Sequence, residues 1–263
     1  MFRRNFPFKA CIKSSLLVFI IYILIPCCVA FTRIILYWLF NIDNVQITRC
    51  LSAAFLSGFI AVFFNSITKT RTQFRLKGMA FSIMYLLPFI GLSFTAIISV
   101  TALDGITGLL PFLLPAASAA IYEEVLFRYV PRTYLLHTCH CGTHTFPLIC
   151  FFSALTFGLC HIVNISSGNL LGTILQVLYA FCMGFMLMAV SLRSGSVAGG
   201  MICHFLNNLI AYTQKQDPSV SGETVYWGSS RFFLPIGMML FYLIYGILLL
   251  YRRRSPQTEK LVP

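Results

Sequence analysis

The feature that most constrains the fold of this chain is a series of apolar segments, each about 17 to 25 residues long. A helix of that length crosses the roughly 30 Å hydrocarbon core of a bilayer and satisfies its own backbone hydrogen bonds. Hydrophobic side chains make up 58% of the 263 residues and charged ones only 10%. Soluble domains carry about 25% charged residues. The chain therefore predicts an all-α fold, a polytopic membrane helical bundle.

We predict about eight transmembrane helices in a single integral-membrane domain that covers residues 1–263. Pro131 and Arg132 are expected to end or kink the fourth helix, because proline removes a backbone donor. Small-residue runs at 116–120 and 195–200 predict close helix contacts, and the second run begins with a turn at 194–196. The predicted spans are 14–31 with an extension to 40, 50–67, 78–100, a fourth that starts after Pro111 or Pro115, 146–163, 170–193, 197–212 and 232–251.

The net charge of +12 follows membrane topology and does not indicate a nucleic-acid partner. Fifteen of the nineteen Lys and Arg side chains fall on one side of the predicted spans, which makes that side cytoplasmic and places both termini there. The ten cysteines are scattered through apolar spans, so we expect small buried side chains and no disulfide framework. The four cationic residues on the other side are Arg33, Arg49, Lys215 and Arg231.

Three charged side chains lie inside the fourth apolar segment, where an ionisable group costs at least about 2.5 kcal/mol. Glu124 and Arg128 are one helical turn apart and can form an ion pair, whereas Glu123 points about 100° away from Glu124. This spacing leaves Glu123 free to act as a general base. The alternative is a buried ion pair that only fixes helix packing, but such a pair needs one carboxylate and two are present.

Two further apolar segments carry histidines. His161 follows Phe157 by one turn, and His204 precedes Asn208 by one turn, so each pair shares a helix face. An imidazole and a carboxamide placed in this way can both donate hydrogen bonds to a developing oxyanion. A single membrane histidine is equally consistent with a hydrogen bond between helices. Helix rise places His161 over about 20 Å deep, compared with roughly 13 to 17 Å for Glu123 and His204.

The motifs Glu123-Glu124-x-x-x-Arg128, Phe157-x-x-x-His161 and His204-x-x-x-Asn208, in this order on three spans, resemble the CPBP family. These are the CAAX-processing and bacteriocin-processing intramembrane proteases, also called Abi or Rce1-like. The resemblance covers about residues 115–212, and we place the catalytic core at about 111–213. It implies that Glu123 and His161 activate a water molecule, that His204 and Asn208 stabilise the oxyanion, and that Glu124 and Arg128 support them.

A metal is the main alternative for the mechanism. Glu123, His161 and His204 could supply three zinc ligands, but the chain has no His-Glu-x-x-His motif, so we predict no cofactor and no metal. The loop at 137–144 holds five His and Cys side chains without a recognised zinc spacing, and we interpret it as incidental composition.

The resulting hypothesis is an intramembrane endopeptidase that cuts a membrane-associated peptide or a lipidated protein tail, of the CAAX or the bacteriocin or pheromone-precursor type. One alternative is a non-catalytic immunity or chaperone protein that binds a peptide, and another is a proton-coupled transporter. The expected partners are that substrate and the lipid bilayer, without nucleic acid. The compact length and short termini favour a bacterial cell membrane, and the endoplasmic reticulum is the alternative location.

Overall fold

The structure is a computed structural model that describes residues 7–41, 44–68, 76–104, 106–139, 145–167, 170–216 and 230–251. Every regular element in this part of the chain is helical. A π-helical turn, Val125–Tyr129, joins two of the helices without a break, so these ranges form eight continuous helical rods. The helices are α1 (Pro7–Phe40), α2 (Val45–Thr68), α3 (Leu76–Asp104), α4 (Leu110–Glu124), α5 (Val130–Cys139), α6 (Phe146–Cys160), α7 (Leu170–Ser194), α8 (Ala198–Gln216) and α9 (Ser230–Tyr251).

Helix α7 is the centre of the bundle. Its side chains from Cys182 to Ser194 are all buried, as expected for a helix that is hydrophobic around its whole circumference. It packs against α6 and α9, while α8 packs against α3 and α4. Helix α1 lies against α2, α5 and α6 and presents most of its apolar side chains outward. The core therefore forms around α7, which α8 and the π turn after α4 also contact.

The helical membrane bundle predicted from the sequence is confirmed. Four helices in the described ranges are long and apolar enough to cross a bilayer, and three others contain shorter apolar stretches of 10–17 residues. Helix α8 belongs to neither group, since it carries several amide and charged side chains along its length. The cytoplasmic placement of both termini stays a prediction.

The helix boundaries differ from the prediction in places. The first span is one helix from Pro7 to Phe40, longer than the predicted 14–31 plus extension, and Pro26 lies inside it. Of the predicted end or kink at Pro131 and Arg132, the end is wrong, because the helix continues to Cys139 after the π turn at Val125–Tyr129. The expected turn between the sixth and seventh spans is present and is closed by Gly195, whose φ of +75° favours glycine.

The small-residue runs lie at close helix contacts, as predicted. Ala116 and Ala120 are fully buried. A Cβ atom at Gly199 would lie 2.5 Å from the backbone carbonyl of Ser82, so only glycine allows α8 to approach α3 this closely. The amide of Gly199 also donates to the Ser82 hydroxyl at 2.9 Å. The glycine run thus brings α8 into the bundle interior despite its polar side chains.

The eight cysteines whose side chains the structure describes are free thiols, so no disulfide joins any two of them. The loop predicted at 137–144 falls partly outside the described residues, which end at 139 and resume at 145.

Candidate active site

The carboxylates lie at the end of α4, directly before the π turn. In an uninterrupted α-helix the residue at position 131 would donate its amide to the carbonyl of Phe127, but Pro131 has no amide hydrogen and its ring would contact that carbonyl. The wider π turn accommodates this, with the Val130 amide bonded to Val125. The Ser153 hydroxyl from α6 donates to the Phe127 carbonyl at 2.6 Å. The chain therefore passes Pro131 without ending the helix.

Glu124 is held by two partners at one oxygen. Its Oε1 lies 3.1 Å from Nη1 of Arg128 and 3.1 Å from Nδ1 of His204. The i, i+4 spacing predicted the Glu124–Arg128 ion pair, and both of its members are almost completely buried. The guanidinium carbon of Arg128 also lies 4.1 Å from the centre of the Phe157 ring, a cation–π contact. Glu124 is thus a fixed, charge-compensated group and not an open reactive carboxylate.

Two glycines leave room for this ion pair. A Cβ atom at Gly200 on α8 would lie 2.7 Å from Oε2 of Glu124. A Cβ atom at Gly184 on α7 would lie 3.2 Å from Nη2 of Arg128. Gly200 belongs to the predicted small-residue run at 195–200, whereas no sequence signal pointed to Gly184. Both glycines allow neighbouring helices to pack directly on the charged pair.

Glu123 has a different environment from Glu124. Its side chain is 21% exposed, compared with 1% for Glu124. Its Oε2 lies 3.4 Å from Nε2 of His204 and is otherwise not paired with a cation in the described ranges. The expected division into one paired and one more accessible carboxylate therefore agrees with the geometry.

His204 bridges the two carboxylates. A carboxylate only accepts hydrogen bonds, so Nδ1 of His204 donates to Glu124 while Nε2 faces Glu123. This bridge joins α8 to α4, so the periodicity of a single helix does not reveal it.

His161 lies at the C-terminal end of α6 and is half-buried. Its Nδ1 lies 2.9 Å from the carbonyl oxygen of Phe157, which can only accept, so Nδ1 carries the hydrogen. A neutral imidazole in this tautomer keeps an unprotonated Nε2 that can accept a proton. In the described ranges no hydrogen bond or ion pair joins His161 to either carboxylate.

The Phe157 ring connects the two histidines. Its centroid is 4.9 Å from that of His161 and 5.6 Å from that of His204, with edge-to-face geometry in both cases. The two imidazoles therefore contact one common ring, although helix rise from the segment ends had placed them at different depths.

The adjacent asparagines on α8 have different surroundings. Asn207 accepts a hydrogen bond from the Tyr179 hydroxyl at 2.7 Å. The Asn208 carboxamide is half-buried and makes no hydrogen bond with the described residues. Asn208 therefore keeps its donors available, as expected for an oxyanion-binding group.

The zinc alternative has no assembled ligand set in these ranges. No group of three His, Cys, Asp or Glu side chains there has the spacing to hold a metal ion. Both nitrogens of His204 already face carboxylates, whereas Nε2 of His161 stays free because its Nδ1 is the atom bonded to a backbone carbonyl. The described side chains therefore do not fit a three-residue zinc site as they stand.

Comparison with known proteins gives one match. Residues 105–210 match the family model described as "Type II CAAX prenyl endopeptidase Rce1-like". The matched stretch contains all six of the residues that the sequence analysis selected: Glu123, Glu124, Arg128, His161, His204 and Asn208. Neither the curated proteins nor the solved structures gave a significant match.

Proposed function

Since residues 105–210 match the Rce1-like protease family model, we propose that the chain belongs to this family and is an intramembrane endopeptidase in which Glu123 is the general base. The observation that carries the proposal is the unequal environment of the adjacent carboxylates. Glu124 is paired with Arg128, while Glu123 is one-fifth exposed, and among the described residues its ion-pair partner is the His204 imidazole. An accessible carboxylate beside a fixed one is suited to accept a proton from water.

In the proposed first step, water attacks the scissile carbonyl carbon. The oxygen of water bonds to that carbon, its proton passes to Glu123, and the carbonyl π electrons move to the oxygen to form an oxyanion. The free Nε2 of His161 accepts a hydrogen bond from the same water and orients its lone pair.

In the second step the tetrahedral intermediate collapses. The C–N bond breaks, and the proton held by Glu123 passes to the leaving nitrogen, so that a carboxylic acid and an amine are formed. Glu123 returns to its carboxylate form. No redox partner or covalent enzyme intermediate is needed.

His204 and Asn208 are the proposed oxyanion donors. The Nε2 of His204 lies 3.4 Å from Oε2 of Glu123, longer than a good hydrogen bond, so an incoming oxyanion can compete with Glu123 for it. The Asn208 amide is on the same helix face, about 40° around α8 from His204. Removing one donor of this kind typically costs about 10²–10³-fold in kcat.

Glu124 and Arg128 act on this site through His204. The bond from Nδ1 of His204 to Glu124 fixes the ring orientation, and Arg128 pairs with the same Glu124 oxygen. We propose that neither touches the substrate, since both side chains are almost fully buried.

The proposed substrate is a membrane-associated peptide or a lipidated protein tail, of the CAAX type or of the bacteriocin or pheromone-precursor type. The protein is an integral membrane protein, and we propose the bacterial cell membrane as its location, with the endoplasmic reticulum as the alternative. We propose a mechanism that does not depend on a metal, because the described ligands are not arranged to hold one.

The test compares membrane peptidomes of cells with and without the intact gene, and then the cleavage of the identified peptide by purified protein. Glu123→Gln keeps the side-chain volume but removes the base, so we expect the new peptide terminus to fall by at least about 10³-fold. His161→Gln should also lose activity. His137→Gln, in the exposed end of α5, is the matched control and should cleave as the wild type does.

Two outcomes would contradict the proposed protease function. A Glu123→Gln variant with full biological function, and no new peptide terminus with the wild type, would favour the peptide-binding immunity or chaperone protein. Proton-coupled flux in liposomes that is lost in Glu123→Gln would favour the transporter.

A further inference from the structure

A second polar cluster lies on the opposite flank of α8 from Asn208. The Tyr179 hydroxyl of α7 donates to Oδ1 of Asn207 at 2.7 Å, and it lies 3.0 Å from the Tyr242 hydroxyl of α9. Tyr242 is 3% exposed. The cluster thus joins three helices through side chains that neither the three motifs nor the proposed chemistry uses.

The direction of these hydrogen bonds is determined by their partners. The carbonyl oxygen Oδ1 can only accept, so Tyr179 donates its single hydroxyl hydrogen to Asn207. The Tyr242 hydroxyl must then donate to the Tyr179 oxygen. The result is a directed chain from α9 through α7 to α8, and it holds the Asn207 carboxamide in one orientation.

Asn207 lies next to the proposed oxyanion donors. On an α-helix it is about 60° around the axis from His204 on one side, while Asn208 is about 40° away on the other. A hydrogen bond that fixes the orientation of the Asn207 side chain therefore also fixes the rotation of α8 about its axis, and with it the positions of His204 and Asn208.

We propose that Tyr179, supported by Tyr242, is a positioning residue that sets the rotation of α8 through Asn207. This inference rests on the proposed function, because it concerns the placement of the oxyanion donors. Helix α8 has a second fixed point at Gly199, where its backbone contacts Ser82. His204 lies between the two fixed points, so both are needed to define its position.

The size of the expected effect on the rate follows from the radius of α8. Side-chain ends lie about 6 Å from a helix axis, so a 10° rotation of α8 moves them by about 1 Å. A displacement of about 1 Å at a reacting group can lower the rate by about 10²-fold. Loss of the Tyr179 hydroxyl should therefore affect the chemical step more than it affects folding.

The experiment compares Tyr179→Phe with Tyr245→Phe. Tyr245 is on the same helix as Tyr242, and its hydroxyl donates to the Tyr85 carbonyl of α3 at 2.6 Å. Tyr179→Phe removes the hydrogen bond to Asn207 and the one accepted from Tyr242, whereas Tyr245→Phe removes the bond to the Tyr85 carbonyl, and only the first variant touches α8. We expect Tyr179→Phe to lower kcat about 10- to 100-fold with KM unchanged within twofold. Tyr245→Phe should lower Tm and leave kcat unchanged.

A double-variant cycle tests the route of the effect. If Tyr179 acts through Asn207, the Tyr179→Phe/Asn207→Ala double variant should lose no more kcat than the more affected single variant. If the kcat losses of the two single variants instead multiply in the double variant, the proposal is wrong. Wild-type kcat in Tyr179→Phe, or an equal loss in Tyr245→Phe, would also overturn it.

Amide hydrogen exchange gives a readout that does not need cleavage. Tyr179→Phe should increase exchange along α8, at residues 201–212, relative to the wild type and to Tyr245→Phe. A wild-type protein that cleaves nothing would refute the proposed function, while the exchange data would still decide whether Tyr179 holds α8. Unchanged exchange in α8 would refute the positioning role.

Discussion

Replacing Gly200 with alanine should separate activity from stability. A Cβ atom at this position would lie 2.7 Å from Oε2 of Glu124, about 0.7 Å closer than an ordinary contact of about 3.4 Å. A carboxylate is rigid, so a shift of Oε2 also moves Oε1. That oxygen lies 3.1 Å from both Nη1 of Arg128 and Nδ1 of His204, and the bond to His204 cannot lengthen by 0.7 Å and remain a hydrogen bond.

The expected cost in activity comes from the loss of this arrangement. A displacement of about 1 Å can cost about 10²-fold, so we expect kcat/KM of Gly200→Ala to fall about 10- to 100-fold. The cost in stability should be smaller. Alanine favours a helix over glycine by about 0.8–1 kcal/mol, which offsets part of the roughly 1–3 kcal/mol for a weakened buried hydrogen bond. The free energy of unfolding should therefore change by less than about 2 kcal/mol.

The assay measures peptide cleavage and thermal unfolding of the same purified sample. Gly237→Ala is the matched control, because a Cβ atom at Gly237 would meet no atom within 4 Å. It gains the same helix propensity without touching the site, so its kcat/KM should equal that of the wild type. A folded Gly200→Ala protein with wild-type kcat/KM would refute the view that Glu124 must be held in place for His204 to function.

Three further predictions concern other parts of the structure. Ser153→Ala leaves the buried Phe127 carbonyl without its donor, so thermal or denaturant unfolding in detergent should show a loss of about 1–3 kcal/mol, whereas Ser66→Ala, on an exposed hydroxyl, should show almost none. Phenanthroline should leave cleavage unchanged, and inhibition that added zinc reverses would contradict the metal-independent mechanism. Reporter enzymes fused to each terminus should both be active only on the cytoplasmic side, and opposite signals at the two ends would contradict the predicted topology.

The sequence predicted the parts of the structure that depend on local spacing. Apolar segment length predicted the helices, and the i, i+4 separation predicted the pair of Glu124 and Arg128. The glycine and alanine runs predicted where helices approach closely, since a small side chain limits contact distance in any fold.

The contacts that the sequence did not predict require two or more distant elements. The helix end expected at Pro131 is absent because a hydroxyl from α6 satisfies the carbonyl that proline leaves free. The bridge through His204 depends on the rotation of α8 against α4. The bond between Tyr179 and Asn207 likewise joins α7 to α8. Helix periodicity describes one helix at a time and carries no information on such pairings.

The modest hydropathy of α8 has a consequence for biogenesis. Polar side chains in the middle of a segment oppose its release from the translocon into lipid, and α8 is not among the helices apolar enough to partition alone. Its polar groups are compatible with the bilayer once Ser82, Tyr179 and Glu124 are in place to receive them. We therefore expect α8 to insert late and together with its neighbours, so that assembly of the site and completion of membrane integration are the same event.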